Sequence, residues 1–322
     1  MTISGSRMLR CVLLTAGLAA VLSGCADLNE RHGRRSAAMA DRRADAVPAA
    51  TAAADRESPT AGDLEAEGDL ILRSGNLPMA MVKYYQALEK APDNVDLRYK
   101  IGRLLLVGGA SDTALEAFLE VLRQDPGHAR AYQGIGHAHF QANHFDQAEA
   151  AFNKALTLDN TLWRSNVFLG ILYDYKKDFT RAIWEYRAAI KLKPEKGMLY
   201  NNLGVAYALT GRYEEAIGAY REATAKGYTG SRVYNNLGAA LGKVRAYDRA
   251  LEAFTKAGGE ARAYNNLGCI FLDHGEYQQA IQSFKRAIAL KPGFYDKAND
   301  NLNAAKRAWA RQSSKEPVQT GE

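Results

Sequence analysis

The string Y-N-N-L-G occurs three times in this chain of 322 residues, at positions 200–204, 234–238 and 264–268. The first two copies are 34 residues apart, and other residue types recur outward from them with the same spacing. Glycine occupies Gly68, Gly102, Gly136, Gly170, Gly204 and Gly238. Alanine follows at Ala80, Ala114, Ala148, Ala182, Ala216 and Ala250, and an aromatic residue at Tyr84, Phe118, Phe152, Tyr186, Tyr220 and Phe254. A fixed period of this kind indicates a repeat architecture.

Each period contains the pattern of two helices. At 100° per residue, positions 4, 7, 8 and 11 of the period share one face of a first helix, and positions 20, 24 and 27 share one face of a second helix. Proline at position 32 ends the second helix in four units, at Pro92, Pro126, Pro194 and Pro292. No single unit can bury both faces alone, so neighbouring units must stack. The sequence predicts an all-α fold without strands.

This pattern resembles the tetratricopeptide repeat, and the resemblance covers residues 61–294. It implies a right-handed superhelical solenoid of seven helix-turn-helix units, at 61–94, 95–128, 129–162, 163–196, 197–230, 231–260 and 261–294. The sixth unit is four residues short, and Gly258 and Gly259 permit the tight turn that the lost residues require. The shortening either bends the array or is a tolerated deletion.

Both ends of the array carry capping signals. Thr60 and Asp63 fit a capping box before the first helix, with Asp63 reaching back. At the other end, Ala298, Leu302, Ala305 and Trp309 recur on one helical face, which predicts a capping helix over 295–311. Residues 312–322 are expected to be disordered.

The N-terminus reads as an export signal with a lipid attachment site. Residues 1–24 combine a basic start with a short apolar stretch from Cys11, which is too short to cross a bilayer core of about 30 Å. The sequence Leu22-Ser23-Gly24-Cys25 resembles the bacterial lipobox, which implies cleavage before Cys25 and lipidation of its thiol. The alternative is a plain signal peptide with an accidental cysteine. Ala26, in place of aspartate, favours the outer membrane by resemblance to Gram-negative lipoproteins.

The segment after Cys25, up to residue 60, is rich in Ala and Arg and poor in large apolar side chains. Such a segment cannot bury enough surface to offset its ordering entropy, so it is predicted to be a flexible tether. A transient helix interrupted at Pro48 is the alternative. The domain organisation is therefore a signal peptide over 1–24, a lipidated tether over 25–60, the repeats over 61–294, and the cap and tail.

Composition and motifs argue against several function classes. The net charge of +6 is dispersed, which argues against nucleic acid as a partner, and the mean hydropathy of −0.33 excludes a polytopic membrane protein. Three cysteines exclude a disulfide framework and a cysteine-based zinc site. There is no phosphate-binding loop, nucleophile elbow or metalloprotease motif, and His137 and His139 lie about 200° apart on a helix and cannot share a metal. We expect no enzyme activity and no cofactor.

Binding is therefore expected on the concave side of the solenoid, which positions 2, 6, 9 and 13 of the first helices line. Asparagine at position 6 could bond the backbone of an extended peptide, as in peptide-binding members of the family, or could simply be consensus; these residues are Asn202, Asn236 and Asn266. Arginine at position 2 would favour a carboxylate-bearing partner, or could be solvated surface; these residues are Arg130, Arg164, Arg232 and Arg262. Phe168 and Tyr175 form a candidate aromatic anchor, against the alternative that they pack on the next unit. An extended peptide is predicted to bind over units four to seven.

The lipobox, the tether and the repeat array together resemble the lipoproteins that assemble tight-adherence (Flp) pili. The residues that carry this resemblance are A-G-G-E-A-R-A-Y-N-N-L-G at 257–268 and P-G-F-Y-D-K-A-N-D-N-L at 292–302. The resemblance implies a non-catalytic scaffold for a pilus or secretion apparatus, anchored by lipid in the outer membrane and facing the periplasm, with protein or peptide ligands. A repeat lipoprotein that docks cell-wall hydrolases is the alternative, and the targeting subunit of a separately encoded enzyme is a third. The sequence leaves the oligomeric state open.

Overall fold

The computed structural model describes residues 58–291 and 296–314, and these residues form fifteen α-helices and no strand. The signal peptide, Cys25, the tether up to residue 57, Pro292 and residues 315–322 lie outside the described residues. None of the described helices is both long enough and apolar enough to span a membrane. The helices are α1 Ala61–Arg73, α2 Leu77–Lys90, α3 Val95–Val107, α4 Ser111–Gln124, α5 Ala129–Gln141, α6 Phe145–Leu158, α7 Trp163–Tyr175, α8 Phe179–Leu192, α9 Gly197–Leu209, α10 Tyr213–Ala225, α11 Ser231–Lys243, α12 Tyr247–Gly258, α13 Glu260–Asp273, α14 Tyr277–Leu290 and α15 Asp296–Ser313.

The helices form consecutive pairs, and each pair is one repeat. Six of the seven first helices begin at the first residue of their sequence repeat, and α13 begins one residue early, at Glu260. The predicted all-α class is confirmed. The described chain divides into two compact units with the boundary after Leu172. We call residues 58–172 the N-terminal half and the described residues from Tyr173 onward the C-terminal half.

A glycine at position 8 of the first helix faces an aromatic ring at position 24 of the second helix. A Cβ atom added at this glycine would lie 2.5–2.7 Å from a ring carbon of the partner, closer than carbon atoms can approach. The aromatic rings are at most 2% exposed. The six pairs are Gly68–Tyr84, Gly102–Phe118, Gly136–Phe152, Gly204–Tyr220, Gly238–Phe254 and Gly268–Phe284. Glycine therefore sets how closely the two helices of a repeat approach.

The ends of the array show the predicted capping with one correction. Thr60 Oγ1 accepts a hydrogen bond from the backbone N–H of Asp63, and Asp63 Oδ2 accepts one from the N–H of Thr60, so the capping box is confirmed. Helix α15 packs on α14 and buries Ala298, Leu302 and Ala305. Trp309 does not complete this buried stripe, because 43% of it is exposed. The helix continues through Ser313, two residues beyond the predicted end.

In the short sixth repeat, a single residue connects the last helix to the next repeat. Helix α12 ends at Gly258 and α13 begins at Glu260, so Gly259 alone connects them. Gly259 has a φ of +81°, a conformation that glycine adopts without steric cost. The glycine pair thus allows the shortened connection that the sequence predicted.

One carboxyl group lies in the core of the C-terminal half without a countercharge. Asp174 is 1% exposed, and its Oδ2 accepts a hydrogen bond of 2.7 Å from the hydroxyl of Tyr186. Its Oδ1 is buried and accepts no hydrogen bond from any described residue. Burial raises the pKa of Asp174 to about 7, against a smaller lowering by the Tyr186 hydroxyl. The charged form of Asp174 therefore destabilises the fold at neutral pH.

The glycine contacts predict opposite effects for one substitution at two places in the C-terminal half. We expect Gly238→Ala to lower the free energy of unfolding by about 1–3 kcal/mol, because the added methyl group overlaps Phe254. Gly218→Ala is the matched control, since its Cβ meets no heavy atom within 4 Å; there we expect a gain of up to about 1 kcal/mol from helix propensity. Urea denaturation of both variants tests this. A shift in the same direction for both would contradict the steric account.

The buried carboxyl group predicts a pH dependence of stability. The unfolded chain loses the Asp174 proton near pH 4 and the folded chain near pH 7, so stability falls as the pH rises through this window, by up to about 4 kcal/mol. We expect Asp174→Asn to raise the melting temperature at pH 8 and to change it little at pH 4. The exposed Asp248→Asn is the control. An equal effect of Asp174→Asn at both pH values would contradict the assignment.

Candidate peptide-binding surface

The candidate residues at position 6 of the C-terminal half lie where successive first helices meet. Asn202, Asn236 and Asn266 stand on α9, α11 and α13, and each is half-buried. Helix α9 contacts α11, α11 contacts α13, and α13 contacts α15. We call the side of the first helices that carries positions 2, 6, 9 and 13 the first-helix surface; in the C-terminal half, Val205 and Cys269 at position 9 are buried.

Asparagine side chains connect these first helices by hydrogen bonds. In each step, Nδ2 of an asparagine at position 6 donates to Oδ1 of an asparagine at position 5 in the preceding repeat. Asn236 donates to Asn201 at 3.3 Å, and Asn266 donates to Asn235 at 3.4 Å. The capping helix supplies the last step, in which Asn301 donates to Asn265 at 3.0 Å. We call these three hydrogen bonds the amide ladder.

The ladder gives the asparagines a structural role beside the binding role that the sequence predicts. Asn236 and Asn266 bond the preceding repeat, because successive first helices come within side-chain reach. An amide group has two N–H donors and an oxygen with two lone pairs, so one ladder bond does not exhaust it. The ladder fixes the orientation of amides that retain bonding capacity toward solvent.

The ladder also shows what the sequence reasoning missed. The position 5 asparagines, Asn201, Asn235 and Asn265, were not among the candidate residues. The signal was the doubled asparagine in Y-N-N-L-G, and Asn301 in the cap follows the same register. Asn301 Nδ2 also lies 3.6 Å from the sulfur of Cys269, which is buried.

The four candidate arginines differ in their surroundings. Arg130 is exposed in the first turn of α5. Arg164 is exposed in the first turn of α7, and its guanidinium lies 4.6 Å from the centre of the Trp163 ring. In the C-terminal half, Arg232 is half-buried and Arg262 is exposed beside the turn at Gly258.

The aromatic anchor is corrected by the structure. Phe168 is only 4% exposed, so it offers no aromatic surface to a partner. Its ring stacks on Phe152 with a centroid distance of 5.2 Å and also contacts His137 at 4.6 Å and Phe140 at 5.6 Å. Burial lowers the pKa of His137 to about 4, so this imidazole is neutral at pH 7 and acts as a packing ring. Tyr175 is half-buried at the end of α7 in the C-terminal half.

One cation on the first-helix surface of the N-terminal half is already neutralised. Lys100, at position 6 of the second repeat, lies 2.8 Å from Glu65 Oε1 and 2.8 Å from Asp69 Oδ2 of the first repeat. Tyr84 donates a hydrogen bond of 2.5 Å to the same Asp69. Lys100 therefore joins the first two repeats and is not available as a charge for a partner.

Comparison with known proteins agrees with this architecture. Models described as tetratricopeptide repeat match residues 99–162, 169–229 and 261–294. No curated protein sequence matches the chain.

Among solved structures, a tetratricopeptide repeat protein from Parabacteroides merdae is 16% identical with a TM-score of 0.50, covering 76% of this chain and 98% of its own. The pilF protein of Pseudomonas aeruginosa is 19% identical with a TM-score of 0.51, covering 67% and 97%. The Cut9–Hcn1 complex is 20% identical with a TM-score of 0.52, covering 77% and 53%. At these identities the structural matches show the fold alone. The matched segments, residues 99–162, 169–229 and 261–294, therefore carry tetratricopeptide repeats, in agreement with the helix pairs described above.

Proposed function

We propose that this protein is a non-catalytic scaffold, anchored by lipid at Cys25, that binds extended segments of other envelope proteins on its first-helix surface. The observation that carries the proposal is the amide ladder of the C-terminal half. It holds a row of side-chain amides in fixed orientation, and amides can pair with the backbone of a peptide of any sequence. Fixing them before binding reduces the ordering cost of association.

Within this proposal, the apparatus served is a pilus or a secretion system of the outer membrane. The support is the sequence resemblance to tight-adherence pilus lipoproteins such as TadD, together with a fold shared with pilF. Neighbouring genes provide a direct check. Pilin, secretin and ATPase genes beside this gene would support the proposal, whereas genes for peptidoglycan enzymes would favour an adaptor for cell-wall hydrolases.

The ladder predicts a coupled loss of binding and stability. The triple variant Asn202→Ala, Asn236→Ala and Asn266→Ala should weaken capture of the neighbouring apparatus proteins about tenfold or more, since each lost bond contributes about 0.5–1.5 kcal/mol. It should also lower the melting temperature, because Asn236 and Asn266 bond the preceding repeats. Titration of the full-length protein with the captured partner measures the first effect.

Asn301→Ala is the matched control, since it breaks the ladder at the buried cap and leaves the position 6 amides in place. We expect it to lower stability and to leave partner affinity within about twofold. If Asn301→Ala and the triple variant weaken binding equally, the loss follows stability and the amides do not contact the partner.

The anchor makes a separate prediction. Cys25→Ser should abolish lipid attachment, because the lipobox cysteine supplies the thiol that is acylated. Cys11→Ser, within the same signal segment, should keep it. Metabolic labelling with radioactive palmitate compares the two variants with the wild type. Label that persists in Cys25→Ser and depends on Cys11 would contradict the assignment.

A further inference from the structure

Three arginines of the N-terminal half carry charges that act on one tyrosine, Tyr99. Tyr99 and Arg103 are one turn apart on α3, and the Arg103 guanidinium lies 5.9 Å from the centre of the Tyr99 ring. The Tyr99 ring also packs against the rings of His128, at 5.1 Å, and Phe118, at 5.8 Å between centroids. Arg130 and Arg164 stand at the same position of the next two first helices, and α3 contacts α5 directly.

The charges of all three guanidinium groups act on the Tyr99 hydroxyl. Burial raises the pKa of the Tyr99 hydroxyl, while the positive charges of Arg103, Arg130 and Arg164 each act to lower it. Desolvation lowers the pKa of Arg164, and the charge of Arg103 lowers it further. The Arg164 guanidinium is thus repelled by a second guanidinium.

The described residues form no salt bridge with this cluster. Arg103, Arg130 and Arg164 form no salt bridge within the part of the chain that the structure describes, whereas Lys100 on the same helix is paired with Glu65 and Asp69. Asp159 lies near enough to Arg130 for their charges to interact, but its carboxylate accepts hydrogen bonds from the backbone and hydroxyl of Thr161. Like charges held together without a salt-bridge partner repel each other, and a bound anion would relieve this repulsion.

We propose that Tyr99, Arg103, Arg130 and Arg164 form a site that binds the carboxylate groups of an acidic segment of a partner protein. This inference rests on the proposed scaffold function and adds a second contact region, in the N-terminal half, with its own chemistry. The planar guanidinium group of arginine binds a carboxylate through two parallel hydrogen bonds, and the Tyr99 hydroxyl adds a further donor. The aromatic rings of Tyr99 and Trp163 beside the cations favour a protein segment over a phosphate-rich surface.

The direct test is fluorescence anisotropy of the full-length protein with labelled peptides. The probe is a four-fold repeat of Gly-Ser-Glu, compared with the same peptide with an amidated C-terminus and with a Gly-Ser-Gln peptide that keeps its free C-terminus. We expect the Glu peptide to bind at least tenfold more tightly than the Gln peptide. Equal binding of the Glu and Gln peptides would overturn the side-chain carboxylate reading. If the amidated Glu peptide does not bind while the Glu and Gln peptides with a free C-terminus do, the site binds a terminal carboxylate instead.

Variants locate the site. Arg103→Gln with Arg164→Gln should weaken binding of the Glu peptide at least tenfold, and Arg103→Lys with Arg164→Lys should recover only part of it, because lysine lacks the planar fork. Arg123→Gln with Arg249→Gln removes the same charge from exposed second-helix positions and should change binding less than twofold. Equal weakening by both glutamine pairs would show a general charge effect and overturn the proposal.

Two further outcomes separate the alternatives. Displacement of the Glu peptide by glycerol 1-phosphate at concentrations where acetate has no effect would assign the site to a phosphate headgroup instead. The peptide probes are synthetic, so they test the arginine site separately from the native partner. If the Glu peptide does not bind but the native partner is still captured, only the proposed arginine site is wrong. If the Glu peptide binds but no native partner is captured, the arginine site is supported and the proposed scaffold function is contradicted.

Discussion

The contact between a glycine on the first helix and an aromatic ring on the second helix is the constraint on which each repeat depends. With no Cβ at Gly238, the ring of Phe254 lies directly against the helix backbone and is fully buried. The same contact recurs in both halves, in six of the seven repeats. The opposite face of the first helices is then left for contacts with neighbouring first helices and, as we propose, with partners.

The two halves use that remaining face differently. In the C-terminal half, amides bond from one first helix to the next and end on Asn301 of the cap, which both stabilises the stack and orients polar groups. In the N-terminal half, charge dominates. Lys100 forms salt bridges with acids of the first repeat, whereas Arg103, Arg130 and Arg164 form none with the described residues. A partner that engages both halves would need a polar extended backbone for one and carboxylates for the other.

Features that depend on one helix or one turn could be predicted from the sequence. The helix starts follow the 34-residue period, the Thr60–Asp63 box depends on residues three apart, and the Gly259 turn depends on a single φ angle. Features that depend on the neighbouring repeat could not be predicted from the sequence. Phe168 occupies a position expected on the surface, but Phe152 and His137 of the preceding repeat cover its ring. The amide ladder required the distance between first helices, and the buried Asp174 required knowing what surrounds it.

The central claim is that partners bind the first-helix surface, and site-specific photo-crosslinking tests it most directly. A benzophenone amino acid is placed at Arg262, on the first helix of repeat seven, and in a separate variant at Lys285, on the second helix of the same repeat; both positions are exposed. Illumination in intact cells followed by identification of the adducts compares the two faces of one repeat. The account predicts a specific protein adduct from position 262 and none from position 285. An adduct from position 285 alone would show that partners bind the second helices and contradict the account.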